Sequence, residues 1–315
     1  NADVAMYAAK HGSRGGAELF RPALREGATE RAERAARLRG IEDRDELRLD
    51  YQPIVELATN RIEGVEALVR WQPPDGPVLM PSDWIDLAEE GGEIVPIGRW
   101  VLREACRQAR DWQLRLGRPD LRMSVNLSSR QFREHDIVAT VRSVLEETEL
   151  PPSTLMLEIT ESGLMTRTQA TTARLDALRA LGVHLAIDDF GTGYSSLSYL
   201  ERFPIDVLKI DRTFVSSTGE AVSPIARAIV DLGRTLGLEV IAEGIEATEQ
   251  ARWLADLGCR FGQGYLFARP MGAAAIEALL GEGEGLAGSA TALSAEEDDG
   301  ADRSEGRRLR LVSGD

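Results

Sequence analysis

The stretch RALGVHLAIDDFGTGYSS, from Arg179 to Ser196, decides the fold class of this chain. A helical pattern gives way at Gly182 to a short apolar run, and two aspartates close that run ahead of a glycine-bearing loop. A short apolar run of this kind indicates a buried strand, so the carboxylates stand where a strand leaves the core. The stretch therefore predicts one unit of an alternating helix and strand fold, with Asp188 and Asp189 at the carboxyl end of its strand.

In both directions from this stretch, short β-rich runs alternate with helical patterns from Leu49 onward. Such alternation over roughly 230 residues, with about eight strands, predicts a TIM-like (β/α)8 barrel rather than an open sheet. The first two runs are joined by the short turn ATN, which favours an antiparallel pair and an irregular first strand. The predicted strands are LDYQPIVEL, RIEGVEALVRW, RMSVNLS, LMLEITE, HLAIDDF, DVLKID, EVIAEGI and FGQGYLFARP.

The composition of the 315-residue chain bounds its class. With 43% hydrophobic residues it can bury the core of one barrel domain. A net charge of −15 argues against binding a DNA or RNA polymer, because such surfaces rely on clustered Lys and Arg. Cys106 and Cys259 show no ligand spacing, so we expect them in the core of a cytoplasmic protein. No apolar run reaches the length of a membrane span.

Polar side chains close most of the predicted strands. Because the carboxyl ends of barrel strands share one face, we expect these side chains to meet there. About five negative charges in one mouth require cations, and oxygen ligands without His or Cys favour Mg²⁺ or Mn²⁺. The adjacent aspartates fit a junction at which one carboxylate bridges two metal ions. The strand-end residues are Glu66, Asn126, Glu158, Asp188, Asp189, Lys209, Glu243 and Gln263.

Each of these signals has a plainer interpretation when it stands alone. An aspartate pair before a glycine-rich loop is more often a turn than a metal site, and the tripeptide at Glu66 occurs in many helices. Lys209 fits either a strand-end salt bridge or a Schiff-base lysine. The carboxylates around Lys209 argue against the second role, because they raise the pKa of an amine that a Schiff base needs lowered. The joint occurrence of the strand-end residues therefore carries the prediction.

A longer series of motifs extends from about Leu49 to Gly272. It consists of YQPIV, EALVRW, SVNLSSRQF, LEITES, IDDFGTGYSSLSYLERFPIDVLKIDRTFV, VIAEGIE and GQGYLFARPM. With these motifs the sequence closely resembles the EAL domains, phosphodiesterases of the bacterial second messenger cyclic di-GMP. The resemblance implies a TIM-like barrel and the Mg²⁺- or Mn²⁺-dependent hydrolysis of cyclic di-GMP to linear pGpG. The departures are small: Ala247 stands where the family commonly has Thr.

Carried onto this chain, the resemblance implies two metal sites joined by Asp188. The second metal would also take Asp189 and Glu243, directly or through water. Lys209 would hold the nucleophilic water, and Glu243 competes with it for the role of general base. The other ligands of the first metal would be Glu66, Asn126 and Glu158.

The resemblance also implies residues for substrate binding. Arg70 would pair with a substrate phosphate, and Gln52 and Leu68 would lie at the guanine and ribose side. Gln263 would orient a bound water or the substrate. Two residues would support the site: Glu161 as the anchor of the loop after the aspartate pair, and Glu246 behind the metal ligands.

Four segments are predicted along the chain. Residues 1–20 resemble the closing helix and strand of a GGDEF domain, and residues 21–48 have the Arg, Glu and Ala content of a helical linker. Residues 49–280 would form the barrel. Residues 281–315, with nine acids and four arginines, read as a disordered acidic tail. Because the first residue is Asn1, we expect a longer parent chain with upstream GGDEF and sensory domains, open to membrane anchoring.

The leading hypothesis is a metal-dependent cyclic di-GMP phosphodiesterase. The alternative is a catalytically silent receptor that binds cyclic di-GMP and signals through a partner. A third hypothesis is an enzyme regulated through its N-terminal helix. We also expect a homodimer that uses the DFGTGYSS loop and the region after it.

Overall fold

A computed structural model describes residues 31–164, 169–192, 200, 202–215 and 223–281. The predicted GGDEF remnant and all but the first residue of the predicted acidic tail lie outside these residues. Half of the DFGTGYSS loop predicted to form the dimer contact, residues 193–196, also lies outside them. Residues 31–38 are helical, and the division of the chain into four segments stays a prediction.

Eight strands close into a barrel, which confirms the predicted fold class. Strands β2 to β8 are parallel to their neighbours in sequence order, whereas β1 pairs antiparallel with both β2 and β8 and closes the ring. The strands are β1 (Leu47–Glu56), β2 (Arg61–Trp71), β3 (Arg122–Asn126), β4 (Leu155–Thr160), β5 (His184–Phe190), β6 (Val207–Ile210), β7 (Glu239–Ala242) and β8 (Phe261–Gly262).

The short turn between β1 and β2 explains the antiparallel first strand. The turn leaves no room for a crossover helix, and Asn60 takes a left-handed conformation with φ 57°. Strand β1 begins at Leu47, so it starts within the stretch predicted as linker.

The eighth strand is much shorter than the run FGQGYLFARP predicts. Only Phe261 and Gly262 pair as a strand, and the chain then turns, with the amides of Phe267 and Ala268 donating to the carbonyl of Gly264. A Cβ at Gly264 would lie 2.1 Å from the carbonyl oxygen of Ile245, so only glycine permits this close approach. A further short strand, β9 (Met271–Gly272), pairs with β1.

Helices cover the outside of the barrel and bury its outer core against the strands. Both cysteines are buried, as expected. Among the described residues no helix is both long and apolar enough to cross a membrane. The helices are α1 (Ile85–Gly91), α2 (Ile94–Arg115), α3 (Ser129–Arg133), α4 (Ile137–Thr148), α5 (Glu161–Leu164), α6 (Gln169–Arg179), α7 (Arg212–Val215), α8 (Pro224–Leu236), α9 (Thr248–Asp256) and α10 (Ala273–Gly281).

A second, smaller core fills the inside of the barrel and determines where the site lies. Because side chains alternate along a strand, the residue two positions beyond a member of this inner core also points inward. On the parallel strands the next inward residue is polar, as with Glu158 after Met156 and Lys209 after Val207. On antiparallel β1 the order reverses, so Gln52 precedes Ile54. The inner core consists of Ile54, Met156, Ala186, Val207, Ile241 and Phe261.

Candidate active site

The two adjacent aspartates both reach the site because β5 is irregular at its end. The pairing of β5 with β6 passes from Ile187 directly to Phe190 and skips Asp188 and Asp189, although Asp188 still pairs with Thr160 of β4. Asp189 has a φ of 52°, in the left-handed region that Asp tolerates better than most residues. This turn cancels the usual alternation, which would send neighbouring side chains to opposite faces.

Lys209 lies at the centre of the site, with its side chain 1% exposed. Its Nζ is 2.6 Å from Glu158 Oε2 and 2.6 Å from Glu243 Oε1. The next carboxylates are more distant, at 3.5 Å for Asp188 Oδ1 and 3.6 Å for Glu66 Oε2. The chain contains two lysines among its 37 cationic residues, and this rarity was a signal for the site. A compact ammonium fits between several carboxylates, whereas the planar guanidinium of Arg does not.

The pKa values of the site follow from burial and from these contacts. Burial lowers the pKa of the Lys209 amine, but the carboxylates around it outweigh burial and raise that pKa well above its usual value. Burial and the charge of Glu66 raise the pKa of Glu158 well above its usual value. For Glu243, burial outweighs the opposing charge of Lys209 and raises the pKa to about 8. Burial and the charge of Asp188 raise the pKa of Asp189 to about 6.

The pKa of Glu66 shifts in the opposite direction, because the charge of Lys209 and two side-chain amides together outweigh its burial. Asn126 Nδ2 donates to Glu66 Oε1 at 2.6 Å, and Gln263 Nε2 donates to Glu66 Oε2 at 2.7 Å. Burial alone raises the pKa of Glu66, but the charge of Lys209 and these two hydrogen bonds bring that pKa below its usual value. Glu66 therefore favours its ionised form beside the ammonium.

A cavity of about 240 Å³ opens above this cluster. Arg212 and Tyr265 also line the cavity, and the sequence predictions did not include them. Each lies close in sequence to a predicted site residue: Arg212 is three positions after Lys209, and Tyr265 is two positions after Gln263. The predicted residues that line the cavity are Gln52, Glu66, Leu68, Asp188, Glu243, Glu246 and Gln263.

Arg70, the predicted phosphate ligand, does not line this cavity. Its side chain is 4% exposed, and its Nε donates to Asp50 Oδ2 at 2.9 Å. Its Nη1 donates to the carbonyl of Val69 at 2.9 Å. Binding of a phosphate by Arg70 stays a prediction, and it requires this buried ion pair to share or release the guanidinium.

The two predicted supporting residues lie beside the site. The buried Glu161, at the start of α5, accepts a hydrogen bond of 3.2 Å from the amide of Gly191, which follows the aspartate pair. Glu246 is exposed at the cavity rim, and its amide donates to Gln250 Oε1 at 2.8 Å. Their roles in supporting the loop and the metal ligands stay predictions.

The described residues include one group suited to a divalent cation. Asp188, Asp189 and Glu243 each offer a carboxylate oxygen, and these oxygens lie within 4.8 Å of one another. Asp188 Oδ1 is buried without a hydrogen-bond partner among the described residues. A buried carboxylate oxygen that accepts no hydrogen bond is costly, and an all-oxygen set is what Mg²⁺ and Mn²⁺ prefer. The residues therefore fit such an ion.

The fold and the site together define a TIM-type barrel with an acidic cluster, a candidate cation site, at the carboxyl ends of its strands. The chain belongs to the EAL domain family, whose model matches residues 34–270. Among curated relatives, the bifunctional diguanylate cyclase/cyclic di-GMP phosphodiesterase MucR of Pseudomonas aeruginosa is 45% identical over 273 residues, covering 86% of this chain and 40% of MucR. The cyclic di-GMP phosphodiesterase PdeR of Escherichia coli is 39% identical over 279 residues, covering 88% of this chain and 42% of PdeR.

A solved structure described as the PaMucR phosphodiesterase in complex with c-di-GMP has a TM-score of 0.74 and 46% identity. The match covers 78% of this chain and 99% of that structure. The chain spans about two fifths of the length of the curated relatives MucR and PdeR, which have further sequence outside the match.

Proposed function

We propose that this domain hydrolyses cyclic di-GMP to linear pGpG in a reaction that depends on Mg²⁺ or Mn²⁺. The observation that carries this proposal is the set of polar strand-end side chains around Lys209. Four carboxylates lie within 3.6 Å of the Lys209 ammonium, and the amides of Asn126 and Gln263 donate to one of them, Glu66. The names of the relatives MucR and PdeR, and the c-di-GMP complex of the MucR structure, support this substrate.

The proposed metal ligands are the carboxylates and the carboxamide at the strand ends. Asp188, whose Oδ1 is buried without a hydrogen bond among the described residues, is the proposed shared ligand. When bound, the two cations would activate water and neutralise charge on the phosphodiester. The other proposed ligands are Glu66, Asn126 and Glu158 for one cation, and Asp189 and Glu243 for the other.

Lys209 and Glu243 have different proposed roles in handling the proton. The raised pKa of Lys209 keeps it an ammonium, so it holds the attacking water by donating a hydrogen bond and does not accept the proton. Burial raises the pKa of the Glu243 carboxyl above its usual value in the metal-free chain, so of the two groups Glu243 is the one able to accept a proton. We therefore assign the base role to Glu243, 2.6 Å from the Lys209 ammonium.

The proposal is tested by incubating the chain with cyclic di-GMP and Mg²⁺ or Mn²⁺, and separately with EDTA. We expect cleavage that needs the cation and is lost in the Glu66→Ala variant. Tight binding of cyclic di-GMP without cleavage, with or without metal, would instead identify a silent receptor.

A further inference from the structure

A series of buried side-chain hydrogen bonds links the ends of three neighbouring strands, β8, β1 and β2. Gln52 Nε2 donates to the carbonyl of Ala268 at 2.9 Å, and Gln263 Nε2 donates to Gln52 Oε1 at 2.9 Å. Gln263 Nε2 also donates to Glu66 Oε2 at 2.7 Å. Gln52 and Gln263 are 8% and 4% exposed, so water contributes little to either amide.

The direction of this series of hydrogen bonds is determined by the groups at its two ends. The carbonyl of Ala268 accepts but cannot donate, so the nitrogen of Gln52 must face it and the oxygen of Gln52 must face Gln263. The carboxylate of Glu66 is also an acceptor, because its Oε1 accepts from Asn126 Nδ2 at 2.6 Å and its Oε2 accepts from Gln263 Nε2 at 2.7 Å. Turning either amide over would bring acceptors into contact.

In this arrangement both hydrogens of the Gln263 side-chain nitrogen are donated, and the side-chain oxygen accepts no hydrogen bond. Gln263 Oε1 is buried and has no hydrogen-bond partner among the described residues. Gln263 lines the cavity, so a donor that enters the cavity would approach this amide. A buried acceptor without a partner gains a hydrogen bond when a donor binds. The orientation of the Gln263 amide therefore determines whether the site offers an acceptor or a donor to a molecule in the cavity.

We propose that Gln52 is a positioning residue that orients the Gln263 amide, so that Gln263 Oε1 accepts a hydrogen bond from the attacking water. This inference rests on the proposed hydrolysis. Glu66 would share its carboxylate with a cation, and Gln52 then remains the acceptor that holds the Gln263 nitrogen. The role differs from the guanine or ribose contact predicted for Gln52 from the family resemblance.

The backbone turn that carries the carbonyl of Ala268, the acceptor for Gln52, is held in place by its own hydrogen bonds. The turn that carries Ala268 is held by the amide of Ala268 donating to Gly264 at 3.2 Å and the amide of Leu266 donating to Ile245 at 2.9 Å. Gly264 packs directly on the Ile245 backbone. The acceptor that orients Gln52 is thus tied to the backbone after β7.

The test compares Gln52→Met, Gln263→Met and the double variant. Methionine keeps the length of the side chain and removes the amide. We expect Gln52→Met to lower kcat about tenfold and to leave KM within about twofold, because positioning acts on the reacting water. The double variant is expected to be no slower than Gln263→Met, since the effect of Gln52 passes through Gln263.

Gln113→Met is the matched control. Gln113 is another buried amide, which donates to the carbonyl of Leu121 at 3.1 Å and to Thr154 Oγ1 at 3.0 Å outside the barrel. Its loss removes comparable hydrogen bonds, so it reports the effect of lowered stability alone and is expected to keep kcat unchanged.

A rise in KM at unchanged kcat for Gln52→Met would overturn the proposal and make Gln52 a substrate contact. Independent, multiplying effects of the two substitutions would overturn it as well. If the unaltered chain fails to cleave cyclic di-GMP, the proposed function fails instead. Crystal structures of the unaltered chain and Gln52→Met then decide the orienting role, because an unmoved Gln263 amide would refute it.

Discussion

Replacing Lys209 by Met is expected to destabilise the metal-free protein strongly. The substitution keeps most of the side-chain volume and removes a cation that is 1% exposed. It leaves Glu158 and Glu243 without their 2.6 Å partner, and Asp188 and Glu66 without a cation within 4 Å among the described residues.

The magnitude follows from the burial of these groups. Removing one partner of a buried ion pair costs about 3–5 kcal/mol, because a buried charge is left uncompensated. Glu158 and Glu243 have raised pKa values and can take up protons, so the cost stays within this range although several carboxylates are affected. At roughly 2–4 °C per kcal/mol for a domain of this size, the midpoint of thermal unfolding should fall by on the order of 10 °C.

The assay is urea unfolding followed by tryptophan fluorescence, without metal and with saturating Mg²⁺ or Mn²⁺. The deficit should narrow when metal is present, because the cations supply the missing charge and bind only the folded chain. Arg107→Met is the control, since Arg107 is 57% exposed and also makes a 2.6 Å ion pair, with Glu104. An exposed pair contributes less than about 1 kcal/mol.

A loss below about 1 kcal/mol for Lys209→Met, equal to that of the control, would refute this reasoning. It would mean that the carboxylates around Lys209 are neutral in the free protein and do not depend on its charge.

Three further predictions concern the metal, the pH dependence and the edge of the barrel. Asp188→Asn should weaken Mn²⁺ binding by at least about tenfold in calorimetry, and unchanged affinity would contradict its place among the ligands. The pKa of Glu243 rises from 4.5 to about 8 on folding, and that of Asp189 rises from 3.8 to about 6. The stability that these two groups add is therefore fully present below about pH 4, and it is lost as the pH rises through about 6 for Asp189 and about 8 for Glu243. The free energy of unfolding without metal should therefore fall from pH 5 to pH 8, and a rise over that interval would contradict these shifts. Glu46→Ala should cost about 1–3 kcal/mol in urea unfolding, because buried Glu46 accepts from Trp71 Nε1 at 2.8 Å; a loss under 0.5 kcal/mol, about the size of a surface effect, would argue against that bond.

The sequence predicts much of the fold because alternation is a local property. Seven strands and the antiparallel first pair follow from apolar runs and one short turn, and on five strands a polar residue of the cluster stands two positions beyond the inner core. Glu158 after Met156 illustrates this rule, which needs no knowledge of distant contacts.

The parts that the sequence does not predict depend on contacts between distant segments. The shortness of β8 results from the packing of Gly264 on Ile245, and the burial of Arg70 results from its pairing with Asp50. Neither partner can be identified from periodicity. The turn at Asp189 likewise depends on a register change between β5 and β6.

The central claim, hydrolysis of a phosphodiester at this site, is tested most directly by product analysis in water labelled with ¹⁸O. The chain is incubated with cyclic di-GMP and Mg²⁺ or Mn²⁺, the products are separated by chromatography, and their masses are measured by mass spectrometry. We predict linear pGpG with one ¹⁸O atom in its terminal phosphate, formed by the unaltered chain and absent with Glu66→Ala. Recovery of bound but uncleaved cyclic di-GMP under these conditions would contradict the claim.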